Sequence, residues 1–227
     1  MRPPSFLSCI AVLALSALLT GCATPGDPAR HGQAIVDEAR TSLAHFAASP
    51  GMQPALAALP TASAIVIFPR LASASVVVGA SEAEGVLYVR DLQTGHWAGP
   101  MFYSLAEGSI GLQAGVSRAE VLMIVNSHGA LTSLFKGRLR LGMDASVTVG
   151  KGGGASSAIT SDVDSYALSK GLFAGIALAG SALRARSDLN AAWYGRTVKP
   201  DDLVDMRDVQ TPSSARLSAA IEALASR

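Results

Sequence analysis

The hydrophobic positions along this 227-residue chain change period several times. Phe6–Leu19 is apolar apart from Ser8 and Ser16, a run shorter than the roughly 20 residues needed to cross a bilayer. Ile35, Ala39, Leu43 and Phe46 then recur at helical spacing, which predicts a helix over 30–48 ended by Pro50-Gly51. Residues 52–59 predict one more short helix before Pro60.

Beyond Pro60 the period falls toward two, as it does in strands with one face buried. Ala64–Phe68 is a short apolar run stopped by Pro69. Ser75–Ala80 and Gly85–Arg90 read as strands joined by an acidic turn at Ser81–Glu84, and Thr94-Gly95 marks another turn. Alternation over Ile110–Val116, Met143–Val149 and Leu172–Ala179, with the continuous run Val121–Asn126, adds further strands. Glycines inside these strands point to bulges, bends or close backbone approach. His128–Phe135 and Ser187–Tyr194 predict helices between strands, with Ser187 as a cap. Leu217, Ile221 and Leu224 place one face of a terminal helix over Ser213–Ser226, after a polar linker at 196–212. The pattern gives an α+β fold class: a curved antiparallel β-sheet or barrel-like sandwich with flanking N- and C-terminal helices.

Composition changes this picture in one respect. Mean hydropathy is +0.35, which suggests a membrane-spanning chain. The excess lies in 40 Ala and 22 Gly, so it reflects close packing of small residues. Charged residues make up 15%, against about 25% in ordinary soluble domains. Lys+Arg number 18 against 17 Asp+Glu, which excludes the basic footprint of a nucleic-acid partner.

The first 22 residues predict an address. Arg2, the apolar run and Leu19-Thr20-Gly21-Cys22 have the spacing of a lipoprotein signal peptide and its cleavage box. Residues 1–21 are then removed, Cys22 is the lipidation site, and residues 22–29 are a tether. Ala23 after Cys22 suggests an outer-membrane lipoprotein facing the periplasm. Cys9 leaves with the signal, so an acylated Cys22 allows no disulfide.

The search for chemistry finds little that is catalytic. His31, His45, His96 and His128 have no metal-ligand spacing, and there is neither HExxH nor CxxC, so no metal and no cofactor is expected. Glu107-Gly108-Ser109-Ile110-Gly111 lacks the first glycine of a nucleophile elbow. Gly150–Ser157 is glycine-rich but departs from the phosphate-loop pattern after Lys151. It reads as a flexible hairpin loop, or as a backbone nest with Lys151 for an anionic head group. Lys136, Arg138 and Arg140 alternate with Gly137, Leu139 and Leu141, so a strand would place all three cations on one face. Arg184 and Arg186 share that spacing, as do Asp162 and Asp164.

One stretch is distinctive. Ser165–Leu183, with Ser165-Tyr166 followed by Gly171-Leu172-Phe173-Ala174-Gly175, strongly resembles the SYLF-domain family. Asp188, Asn190, Tyr194 and Gly195 resemble the segment that follows there. Ile65–Pro69, Ser109–Gly115 and Gly142–Ala145 are similar to its upstream strands. The resemblance runs over 30–195. It implies a β-rich α+β domain that is not an enzyme. It also implies binding to phosphoinositides and membranes, and for some members to actin. Ser73, Ser75 and Ala179 depart from common family residues, and the 30–48 helix carries only Arg30 and Arg40 as basic side chains apart from histidine.

Two functional expectations follow. The first is a lipid-anchored envelope protein that binds phospholipid head groups or similar anionic amphiphiles through Lys136, Arg138, Arg140, Lys151 and Lys170. The second is a structural or assembly protein that binds another envelope protein or a host actin-type partner.

Overall fold

The computed structural model describes residues 27–73, 82–106, 117–150, 161–169, 178, 180–204 and 211–227, and every contact below lies within them. The strands predicted at Ser75–Ala80 and Ile110–Val116, most of Leu172–Ala179, and Cys22, Lys151 and Lys170 lie outside the described residues.

The chain opens with helix α1 (Pro28–Ala48), capped by the Asp27 carboxylate, which accepts from the Ala29 N–H at 3.1 Å. Its buried face includes Ile35, Ala39, Leu43 and Phe46, the predicted stripe. A short helix α2 (Gln53–Ala58) follows between two single 3-10 turns. Eight strands then form one sheet: β1 (Ala64–Ser73), β2 (Glu82–Arg90), β3 (Trp97–Ala106), β4 (Ser117–Val125), β5 (Arg138–Arg140), β6 (Val147–Gly150), β7 (Val163–Ser169) and β8 (Ala182–Ala185). Their spatial order is β5-β8-β3-β2-β1-β4-β7-β6, antiparallel throughout except for the parallel β6–β7 pair at one edge. Helix α3 (His128–Phe135) links β4 to β5, α4 (Ser187–Tyr194) follows β8, and α5 (Pro212–Ala225) closes the chain.

Both faces of the sheet are buried. On one face Val66, Phe68, Met101, Tyr103, Val121 and Met123 meet α3 and Leu203. On the other Ile65, Ile67, Phe102, Leu122 and Ile124 meet α1, α4 and α5. The Gly32 Cα lies close under Phe102 and Trp193, whose rings meet edge to face with centroids 5.4 Å apart. Among the described residues no helix is long and apolar enough to cross a membrane.

Several expectations are corrected. Pro69 does not stop β1; the strand passes through it at a register shift between Phe68 and Leu71. Glu82–Glu84 belong to β2 and not to a turn. The pattern predicts no strand over Trp97–Ala106, yet that stretch is β3 and buried almost end to end. Gly142–Asp144 form a turn, so that strand starts only at Val147. The cap of α4 is Arg186, one residue before Ser187. The polar stretch 196–212 contributes buried Val198 and Leu203 to the fold.

Helix α5 is stitched to the β2–β3 hairpin by polar contacts. The Ser218 hydroxyl donates to the Trp97 carbonyl at 2.5 Å, the Tyr88 hydroxyl donates to the Ser214 carbonyl at 3.3 Å, and Glu222 accepts the Trp97 N–H at 3.2 Å. Three histidines tie helices to the sheet: His31 meets Glu84 at 2.5 Å, His45 meets Glu120 at 2.9 Å, and His96 meets Glu222 at 2.6 Å.

Candidate functional site

Three of the five cations singled out in the sequence, Lys136, Arg138 and Arg140, lie at the β5 edge, by a different local route. Lys136 is the C-cap of α3, and Gly137 takes a left-handed φ of 78°. The Gly137 N–H donates to the Leu134 carbonyl at 2.7 Å, which ends the helix. The strand therefore begins only at Arg138, and Lys136 is not on it. Within β5, Leu139 is buried opposite Leu183, so Arg138 and Arg140 face the other way.

Register then supplies a residue that the sequence paired only with Arg186. Arg138 lies directly opposite Arg184 on β8. Both are exposed, and among the described residues neither makes an ion pair or side-chain hydrogen bond. Like charges directly opposite on neighbouring strands destabilise a sheet. Exposed Lys136 adds a third unpaired cation beside them. Arg140 is different: its guanidinium meets Asp144 at 2.9 Å, and its N–H donates to the same carboxylate at 2.8 Å. That hydrogen bonding holds the Asp144 carboxyl below its ordinary range, with a smaller contribution from the charge of Arg138.

The opposite-facing row continues inward. Arg184 faces Ser104 on β3, and Ser104 faces Glu84 on β2. Glu84 bonds Arg186, and His31 bonds Glu84. The Arg186 guanidinium also forms two parallel bonds to Asp188, at 2.9 and 2.8 Å. These bonds pull the Asp188 carboxyl down to about 2. A carboxyl whose folded value lies below its unfolded value of about 4 stabilises the fold above pH ~4. That contribution is lost as pH falls through about 2. Asp188→Asn is expected to lower the denaturation midpoint at pH 6, and the difference from the unmodified chain should shrink by pH 2.

Asn190 and Tyr194, in the family-like segment, hold the backbone of β3. Asn190 is fully buried and grips one backbone residue from both sides: its Oδ1 accepts the Phe102 N–H at 2.7 Å, and its Nδ2 donates to the Phe102 carbonyl at 3.2 Å. The pairing of β8 with β3 begins only at Tyr103, so Asn190 satisfies β3 where the neighbouring ladder stops. The Tyr194 hydroxyl donates to the Pro100 carbonyl at 2.6 Å, and Gly195 takes the left-handed φ of 66° that follows α4.

Little here suits acid–base or nucleophilic chemistry. The hydroxyls of Tyr88, Tyr103 and Tyr194 all donate to backbone carbonyls, and burial pushes each above its ordinary pKa. Among the described residues no group of His, Cys, Asp or Glu is placed to hold a metal ion. The site is a cationic edge suited to holding an anion.

A family model described as Ysc84, Las17-binding protein actin regulator, matches residues 106–224. The match includes the β5 edge, Arg184 and the motif from Ser165 to Gly195. Protein YSC84 of Saccharomyces cerevisiae is 36% identical over 119 residues, 49% of this chain and 25% of that protein. The SH3 domain-containing YSC84-like protein 1 of Rattus norvegicus is 31% identical over 148 residues, 63% of this chain and 43% of that protein. LAS seventeen-binding protein 3 of Saccharomyces cerevisiae is 33% identical over 119 residues, 49% of this chain and 26% of that protein. The chain thus spans a quarter to somewhat under half of these relatives. No solved structure matches significantly.

Proposed function

The chain belongs to the Ysc84 family, described as Las17-binding protein actin regulators, and from that premise we propose a non-catalytic docking module held at a membrane by a lipid on Cys22. The module engages anionic head groups through Lys136, Arg138, Arg140 and Arg184. Lys151 and Lys170 lie outside the described residues, and the strands that precede them in the chain, β6 and β7, form the sheet edge opposite β5, so the reading rests on the β5 set alone. Ala23 after Cys22 favours the periplasmic face of an outer membrane as the location.

The observation that carries this reading is the Arg138–Arg184 pair, two arginines set side by side with no acid bound to either. A sheet edge that keeps such a pair against its own stability is arranged for an external anion. Guanidinium groups suit phosphate oxygens because their N–H groups form parallel bonds to them.

The test uses the chain from residue 22 with Cys22→Ser, which keeps every described element and removes the acyl group. It is expected to sediment with vesicles containing phosphatidylglycerol, less so as salt rises, and weakly with phosphatidylcholine alone. Each cation near an anionic surface contributes about 1 kcal/mol. Replacing Lys136, Arg138 and Arg184 together by Ala is therefore expected to weaken binding roughly a hundredfold at low salt. Unchanged binding would reject the edge as the site, and sedimentation with neither vesicle would reject the reading.

A second reading rests on the relatives' printed names, which describe Las17 binding and SH3 domains. Here the same edge docks an acidic protein, either an envelope protein or a host actin-type partner. Crosslinking in intact membranes that gives one dominant protein adduct through the β5 edge would favour it.

A further inference from the structure

Two large hydrophobic side chains stand exposed among the described residues, Leu92 and Met143, and Met143 is 72% exposed. They sit at opposite ends of the sheet. Leu92 lies in the β2–β3 turn beside the Arg90–Trp97 pair. Met143 follows β5, where Arg140, Ala182, Ala106 and Glu82 line up across four strands. The nine steps of β3 that separate the two ends span about 30 Å.

The Met143 turn is closed by backbone hydrogen bonds. Leu141 and Ala145 root it in the core. The Gly142 N–H donates to the Ala145 carbonyl at 2.8 Å, and the Asp144 N–H donates to the Arg140 carbonyl at 2.8 Å. Gly142 takes the left-handed φ of 82° that the turn requires. Arg140 neutralises the one acid in the turn, Asp144. The result is an apolar tip held outward with Lys136, Arg138 and Arg184 behind it.

The start of α1 lies on the same side. Glu84, two residues from the Glu82 row, bonds His31 in the first turns of α1. Three strand spacings separate β2 from β5, about 15 Å. The five residues from Cys22 to Asp27 reach at most about 18 Å. A lipid on Cys22 and the Met143 tip therefore have the reach to meet one bilayer surface together.

We propose that the Met143 turn inserts into the head-group region of an anionic bilayer and orients the domain with its β5 edge toward the membrane. This rests on the head-group reading above. An apolar tip gains by leaving water, while the cations behind it stay at phosphate level.

The test places tryptophan at either end of the sheet, as Met143→Trp and Leu92→Trp, in the Cys22→Ser chain from residue 22. Emission is read with phosphatidylglycerol-containing vesicles carrying brominated acyl chains, against the background of native Trp97 and Trp193 in the unmodified chain. The added emission of Met143→Trp is expected to shift blue and be quenched, and that of Leu92→Trp to stay unquenched. Met143→Ser is expected to weaken vesicle binding about tenfold. Binding that persists with Met143→Trp in water and Met143→Ser at full affinity overturns the insertion and leaves the cationic edge standing. Quenching at Leu92→Trp instead overturns the orientation. Failure of the unmodified chain to bind either vesicle overturns both readings.

Discussion

Gly85→Ala is expected to destabilise the fold by about 3 kcal/mol, read as a lower denaturation midpoint at unchanged slope. A Cβ at this position would meet the Ile67 carbonyl oxygen at 2.4 Å and the Phe68 ring at 2.6 Å. Neither neighbour can give way easily. Ile67 belongs to the central strand β1, paired on both sides, and Phe68 is fully buried in the core. Removing the unfolded-state freedom of glycine returns only about 0.4–1 kcal/mol, so overpacking wins. Gly129→Ala supplies the opposite sign. Its Cβ would meet nothing nearer than the Ser127 hydroxyl at 3.9 Å, so helix propensity alone is expected to stabilise α3 by up to about 1 kcal/mol.

Asn190→Ala is expected to cost about 2–3 kcal/mol. The Phe102 carbonyl keeps the Arg186 N–H at 2.9 Å, but the Phe102 N–H loses its acceptor inside the fold. An unpaired buried donor costs about 1–3 kcal/mol, and the lost side-chain packing adds to that. Asn190→Asp separates the two bonds: the acceptor survives while the donor to the Phe102 carbonyl becomes a buried negative charge. It is expected to destabilise at least as much as alanine at pH 7. Equal stability of all three chains would show that the β3–α4 junction is held by apolar contact alone.

The helices were legible because each buries one stripe. Ile35, Ala39, Leu43 and Phe46 in α1, and Leu217, Ile221 and Leu224 in α5, were readable from spacing and are buried. The strands were less legible because helices cover the sheet on both faces. A strand buried on both sides shows no polar alternation, and β3 with its internal Gly99-Pro100 shows neither alternation nor an uninterrupted run. Pro69 suggested an end because sequence does not reveal a bulge. Gly85, in a strand read from the sequence, does mark a close approach to β1, whereas Gly99 lies at a register shift of β3, a strand the pattern does not predict.

The candidate site was half legible. Lys136, Arg138 and Arg140 stood out by alternation, yet a left-handed Gly137 separates Lys136 from the strand and Asp144 occupies Arg140. Arg184 was visible only as a partner in spacing to Arg186. Its place opposite Arg138 depends on the pairing of two strands about 45 residues apart, which local pattern does not encode. Asp188 and Asn190 were legible as a motif, but their work in joining α4 to β8 and β3 became plain only from their bonds.

The most direct measurement is amide hydrogen exchange of the Cys22→Ser chain from residue 22, with anionic and with neutral vesicles. The account predicts slowed exchange at 136–145 and 182–184 with phosphatidylglycerol vesicles alone, and unchanged exchange in the 91–96 turn and in α5. Protection confined to α1 or α5, or none in a chain that remains bound, would contradict it.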